Sequence, residues 1–178
     1  MNNSIKEILI TEEEIKKRVK ELGKEISMDY SGKDVVLVGV LKGSVVFTAD
    51  LIRSMDIDVT MDFIAVSSYG ASTESSGVVR LLKDLDFDIE GKDVIIVEDI
   101  IDTGTTLKYL REYLMARKPN SLKICCLLDK PERRKVDIQA DYVGFKIPDY
   151  FVVGYGIDYA EMFRCLPYVG IVKEESLK

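Results

Sequence analysis

The sequence predicts an α/β fold with a mostly parallel central sheet flanked by helices, and three observations predict it. Short aliphatic runs, such as residues 35–41 and 94–97, are apolar on both faces, as strands buried inside a parallel sheet are. Between such runs lie stretches with apolar residues at helical spacing, clearest at Ile15, Val19, Leu22 and Ile26. The two patterns alternate along 178 residues with no internal repeat and no linker, so a single domain, 1–178, is expected.

The elements follow in order. Thr11 with Glu14 three residues on is a capping-box signature, so a helix starts there and runs until Ser31-Gly32 breaks it. The strand 35–41 ends in a Gly43-Ser44 turn that opens a helix reaching about Ser54. A strand near 59–66 leads into a polar, Gly-containing segment at 67–77, and 78–82 reads as a short strand. Gly91-Lys92-Asp93 is a turn before the strand 94–97; residues 98–106 read as a loop. A helix carrying Leu107, Leu110 and Leu114 follows, then strands at 122–128, 151–155 and 169–172. In open α/β sheets ligands bind beyond the carboxyl ends of strands, near the switch in strand order, so the chemistry is expected there.

Composition removes whole classes of function. At 47% hydrophobic and 31% charged, the chain can bury a core and stay soluble. No apolar run approaches the ~20 residues of a membrane span, and the first residues lack a signal peptide's layout. A soluble, cytoplasmic protein with no membrane partner is expected. The chain has no histidine, which excludes Ser-His-Asp and Cys-His nucleophilic schemes and His-based metal sites. Proton transfer must then fall to Asp, Glu, Lys or Tyr. Three cysteines, Cys125, Cys126 and Cys165, do not make a disulfide framework, and the adjacent pair reads as core thiols. A net charge of −6 argues against a nucleic-acid partner, but not against a small anion held by a local basic cluster.

The strongest chemical signal is residues 94–106. A buried strand runs into Glu98 and Asp99, two apolar residues, Asp102, and then Thr103-Gly104-Thr105-Thr106 opening a helix. The turn offers backbone N–H groups, threonine hydroxyls and a helix dipole, which together cradle phosphate. Adjacent carboxylates at a strand end can accept hydrogen bonds from vicinal sugar hydroxyls and help hold magnesium. A helix N-cap flanked by acids would account for Asp102 or a threonine. It would not account for Glu98 and Asp99 at the end of a buried strand.

This segment resembles the phosphoribosyl diphosphate (PRPP) motif of the type I phosphoribosyltransferases, and four further stretches extend the likeness over nearly the whole chain, in order. Residues 38–43, ending in Leu41-Lys42-Gly43, resemble the family's diphosphate loop. Ser67-Ser68-Tyr69-Gly70 resembles the start of its mobile lid, about 67–78. Leu127-Leu128-Asp129-Lys130 puts a lysine where the purine-reading lysine is expected, and 143–159 with Phe163-Arg164 resembles the base-binding hood. The resemblance is to the members that work on hypoxanthine and guanine, and it implies the type I fold with a small hood made by the N-terminal segment and about 145–178. It implies purine salvage: PRPP and hypoxanthine or guanine give IMP or GMP plus diphosphate, with Mg2+, in a homodimer or homotetramer.

The resemblance also assigns roles. Asp102 takes the purine N7 proton as N9 attacks. Glu98, Asp99 and Asp102 to Thr106 (Thr103, Gly104, Thr105, Thr106) hold the ribose 5-phosphate, and Lys42, Gly43 and Arg164 hold diphosphate. Lys130, Phe151, Val152 and Asp158 form the purine site; Ser68 and Tyr69 belong to the lid. Glu98, Asp99 and Asp158 serve magnesium, and the peptide before Lys42 can be cis. Taken alone, Lys42 and Arg164 read equally well as solvated cations, and Phe151 as a core aromatic. Thr105 departs from relatives with lysine there, which bears on 5′-phosphate affinity rather than on the reaction. Two rivals stay open on sequence: a xanthine-preferring enzyme, and a non-catalytic nucleotide- or RNA-binding regulator on the same fold.

Overall fold

The computed structural model describes residues 4–68 and 79–176. Their strands are β1 (Ile5–Ile10), β2 (Val35–Leu41), β3 (Thr60–Ser68), β4 (Val79–Lys83), β5 (Asp93–Ile101), β6 (Ser121–Asp129), β7 (Tyr142–Lys146), β8 (Val152–Val153) and β9 (Val169–Val172). The α-helices are α1 (Glu12–Asp29), α2 (Val45–Arg53) and α3 (Thr105–Met115). Six strands form the main sheet in the order β4-β3-β2-β5-β6-β7. All its pairings are parallel except β3 with β4. A second sheet, β1-β9-β8, is antiparallel.

Alternation along the central strands builds two cores. Val35 and Leu37 of β2, Ile95 and Val97 of β5, and Cys125 and Leu127 of β6 face α1 and α2, where Ile15, Val19, Leu22, Ile26, Phe47 and Leu51 cover them. Val36, Val38, Val94, Ile96, Ile124 and Cys126 point the other way, against Leu107, Leu110 and Leu114 of α3. Each strand is thus apolar on both faces because each face has a helix to meet. The two adjacent cysteines are fully buried on opposite faces, and burial pushes both thiols upward in pKa, as core thiols require. The expected capping box is present: Thr11 Oγ1 accepts from Glu14 N–H, and Thr11 N–H donates to Glu14 Oε2 at 2.8 Å.

Four expectations change. Residues 98–101, read as loop, continue β5, because β6 is long enough to pair with them: Glu98 with Cys126, Ile100 with Leu128, Ile101 with Asp129. The strand expected at 151–155 is only Val152–Val153, because the chain turns at Gly154 (φ 104°) and Tyr155 (φ 50°). β1 and β7 were not read as strands. β1 exists through its pairing with β9, and β7 through its pairing with β6; neither carries a strong local signal. The side chain of Ser68, together with Tyr69 and the rest of 69–78, lies outside the described residues, and so does most of the expected lid. No helix among the described residues is long and apolar enough to cross a membrane.

The strand order locates the crevice. From β2 the chain proceeds to β3 on one side, and β5 lies on the other, so the switch point falls between β2 and β5. The residues just past those two strand ends are Lys42 and Gly43, and Asp102 to Thr106. Leu22 of α1 packs in the core on the α1/α2 face of this sheet, with no exposed surface. Leu22→Ala should cost about 2–5 kcal/mol of unfolding free energy, read as a lower midpoint in urea.

Candidate active site

At the end of β2 the Leu41–Lys42 peptide is cis, and Gly43 follows directly. A Cβ on Gly43 would lie 1.7 Å from Asp99 Oδ2, so only glycine lets the Asp99 carboxylate lie against this backbone. The two sides of the switch point therefore touch. Glu98 and Asp99 sit half-buried near the carboxyl end of strand β5, although the sheet around them excludes much of the solvent. Burial first, and then the Asp99 charge, pushes Glu98 well above the usual carboxylate range. Asp99 is also raised by burial, against the pull of its hydrogen bonds and the Arg164 charge. Ile100 N–H donates to Asp99 Oδ1 at 2.7 Å. Two carboxylates in this position hold a proton between them or call for a cation.

The turn from β5 into α3 is shaped from behind. Lys130 N–H donates to the Ile101 carbonyl at 3.0 Å, Arg134 Nη1 to the Asp102 carbonyl at 2.6 Å, and Lys135 N–H to the Thr103 carbonyl at 3.0 Å. Gly104 holds φ +82° as the residue before α3, and a Cβ there would meet Ile138 Cγ2 at 2.6 Å. The first N–H groups of α3 have no intrahelical partner and stand beside the hydroxyls of Thr103, Thr105 and Thr106. Thr103 Oγ1 already approaches Thr105 N–H at 3.4 Å. This is an anion cradle with the dipole of α3 behind it.

Asp102, Lys130, Phe151, Val152 and Asp158 line one cleft of about 420 Å3, together with Ile100, Arg133, Asp149 and Ile157. Lys130 is buried, donates to the Tyr150 carbonyl at 2.6 Å, and has Asp149 Oδ1 at 3.6 Å. Phe151 is half-exposed and stands edge-on to Tyr159, with ring centroids 5.5 Å apart. Asp102 Oδ1 accepts from Arg133 Nε at 2.8 Å, and Arg133 Nη1 reaches Asp149 Oδ2 at 3.3 Å. Asp158 does not join Glu98 and Asp99. Its Oδ1 pairs with Arg164 Nη2 at 2.8 Å and its Oδ2 accepts from Glu161 N–H at 2.8 Å. Lys42 and Arg164 meet through the carboxylate of Glu161.

Sequence reasoning missed Arg133, Arg134, Asp149 and Glu161. The run Lys130-Pro131-Glu132-Arg133-Arg134-Lys135, four cations directly after a buried strand, was a readable signal for the first two. Asp149 and Glu161 carried none: Asp149 acts through Lys130 and Arg133, and Glu161 through Lys42, 119 residues earlier, as well as its neighbour Arg164.

The chain belongs to the phosphoribosyltransferase family: the family model described as "Phosphoribosyl transferase domain" matches residues 4–160. Among individual relatives it is 57% identical to the hypoxanthine-guanine phosphoribosyltransferase of Staphylococcus aureus strain Mu50, over 98% of each chain. A crystal structure of a hypoxanthine phosphoribosyltransferase from Staphylococcus aureus superposes with TM-score 0.97 at 56% identity, covering 100% of this chain and 97% of that one. A hypoxanthine-guanine phosphoribosyltransferase from Bacillus anthracis gives 0.91 at 57% identity, covering 95% of this chain and 99% of that one.

The anion cradle depends on Gly104. Gly104→Ala forces an L side chain into a positive φ and into Ile138, and should cost about 2–4 kcal/mol. Urea unfolding measures the loss, and faster amide exchange at Lys135, whose N–H is pinned to Thr103, would localise it.

Proposed function

We infer that this chain catalyses purine salvage, transferring the 5-phosphoribosyl group of PRPP to N9 of hypoxanthine or guanine to give IMP or GMP and diphosphate. The observation that carries it is the convergence of a phosphate cradle, a carboxylate and a buried ammonium at the carboxyl ends of adjacent strands β5 and β6. The names of the relatives point to the same bases and do not favour a xanthine-preferring enzyme. A net charge of −6 likewise leaves a regulator of nucleic acid unsupported.

In this reading Thr103, Gly104, Thr105 and Thr106 bind the 5′-phosphate, and Glu98 and Asp99 accept the ribose hydroxyls. Lys42, the Gly43 backbone and Arg164 receive the diphosphate, where cations matched to the leaving charge lower the barrier. Phe151 stacks on the purine, a contact worth about 1–3 kcal/mol; main-chain groups of Val152 meet its edge, and Lys130 donates to the 6-oxo group. As N9 bonds to C1 of the ribose, the C1–O bond to diphosphate breaks and the N7 proton passes to Asp102. Arg133 occupies one oxygen of that carboxylate, leaving the other to accept the proton. The small sheet of β1, β8 and β9 acts as the hood.

The donor set fits magnesium. No three such groups form a ready-made metal cage among the described residues, and magnesium takes one or two carboxylates plus substrate oxygens. Glu98 and Asp99 would hold it at the ribose, and Asp158 would hold a second ion through water. When bound, the ion offsets the charge of the departing diphosphate. The proposed working form is a homodimer or homotetramer in the cytoplasm.

Asp102→Asn keeps the shape and removes the base, so kcat should fall by roughly 10²–10⁴ while the KM for PRPP changes little. Steady-state kinetics with hypoxanthine checks it; a near-normal kcat would put the base elsewhere. Base choice tests the whole reading. An ammonium donates to a 6-oxo group but faces another donor in adenine, a mismatch able to give about 10⁴-fold rejection. Wild-type protein should use hypoxanthine and guanine and nearly ignore adenine. Lys130→Met should lower kcat/KM for both oxopurines and narrow the gap to adenine. Equal turnover of adenine and hypoxanthine by the wild type would sink the assignment.

A further inference from the structure

The cations assigned to diphosphate are already engaged. Lys42 Nζ lies 3.1 and 3.2 Å from the two carboxylate oxygens of Glu161. Arg164 Nη2 lies 3.3 Å from Glu161 Oε2. One carboxylate thus bridges the ammonium after β2 and the guanidinium 122 residues further on, across the mouth of the crevice. A carboxylate held by a lysine and an arginine presents two oxygens to the same donors that recognise a phosphate edge.

Glu161 is aimed at this position by its backbone. Its N–H donates to Asp158 Oδ2 at 2.8 Å, and Tyr159 and Met162 exchange backbone hydrogen bonds of 3.2 and 2.9 Å around it. Ala160, Glu161 and Phe163 adopt φ values of 50°, 63° and 75°, which side chains other than glycine's rarely take. Arg164 is fixed from its other end by donation from Nη1 to the Gly156 carbonyl at 2.8 Å. Its buried Nε has no hydrogen-bond partner among the described residues. The Lys42–Glu161 pair itself is two-thirds exposed, so it can open without a large desolvation change.

We propose that Glu161 is an internal competitor for diphosphate. Its carboxylate occupies the donors of Lys42 and, beside Asp158, a donor of Arg164. PRPP must displace it to seat the diphosphate moiety, and its return after transfer opposes rebinding of the diphosphate product. This inference rests on the phosphoribosyltransferase reading above and deepens it by naming the group that sets diphosphate affinity. The rival role, a third carboxylate for magnesium, predicts the opposite sign.

Calorimetric titration with magnesium diphosphate separates the two. Glu161→Gln should bind diphosphate about three- to tenfold more tightly than wild type, the range expected for releasing one exposed ion pair to Lys42 and a longer, partly exposed one to Arg164. The KM for diphosphate in the reverse reaction with IMP should fall in step. In a Lys42→Gln background the gain should shrink, because the competitor has lost one of its two anchors. Wild type that binds diphosphate, with Glu161→Gln of equal or weaker affinity, would overturn this inference alone. A full gain persisting without Lys42 would reduce Glu161 to general negative charge and overturn it as well. Wild type that bound neither diphosphate nor PRPP would remove the proposed function, and this inference with it.

Discussion

The site depends on three carbonyls being turned away from it. Ile101, Asp102 and Thr103 all have their C=O groups hydrogen-bonded from the segment 130–135. In a planar trans peptide the carbonyl and the following N–H point in opposite directions, so pinning these oxygens behind the turn commits the N–H groups of 102–104 to the front. An anion cradle needs that polarity, and helix α3 continues it. Arg134 is central because it ties the Asp102 carbonyl to the buried carboxylate of Asp129, joining the ends of β5 and β6. The phosphate turn and the Lys130 that faces the cleft are therefore parts of one hydrogen-bonded unit.

Charge is organised locally against the chain's overall sign. The net charge is −6, yet Lys42, Lys130, Arg133, Arg134 and Arg164 all gather at one end of the sheet. Each has a carboxylate partner: Glu161, Asp149, Asp102, Asp129 and Asp158. Pairing keeps the crevice near neutrality and holds long side chains in position, so less ordering remains to be done when a ligand arrives. The exception is the Glu98–Asp99 pair, where like charges adjoin and burial adds to their cost. That is the point where a cationic occupant gains most.

The legible part of the fold was the part dictated by local pattern. Apolar runs two-sided enough for buried strands, the Thr11–Glu14 capping box and the helix residues Leu107, Leu110 and Leu114 were all found where they were read. The misreadings share a cause. Glu98 and Asp99 look like loop residues because they are charged, but strand character there comes from the pairing of Glu98 with Cys126 and of Ile100 with Leu128, each 28 residues away. β1 and β7 depend in the same way on β9 and β6. β8 is cut short by positive φ at Gly154 and Tyr155, which no hydrophobic pattern reports.

By itself the sequence determined the fold class, the exclusion of histidine chemistry, and the turn that carries Glu98, Asp99 and Asp102 to Thr106, whereas Lys42, Lys130, Phe151 and Arg164 became candidates through the family resemblance. The turn follows from residue type and order, because carboxylates and a run of threonine and glycine after a buried strand have few uses together. Only the tertiary structure decided what each group meets. It pressed Gly43 against Asp99, set Arg133 on Asp102 and Asp149, and stretched Glu161 between Lys42 and Arg164. These contacts join residues 16 to 119 positions apart, or sit on backbone at positive φ, and no local spacing encodes them. They arise when strands of one sheet end at the same edge and bring their loops within hydrogen-bond reach.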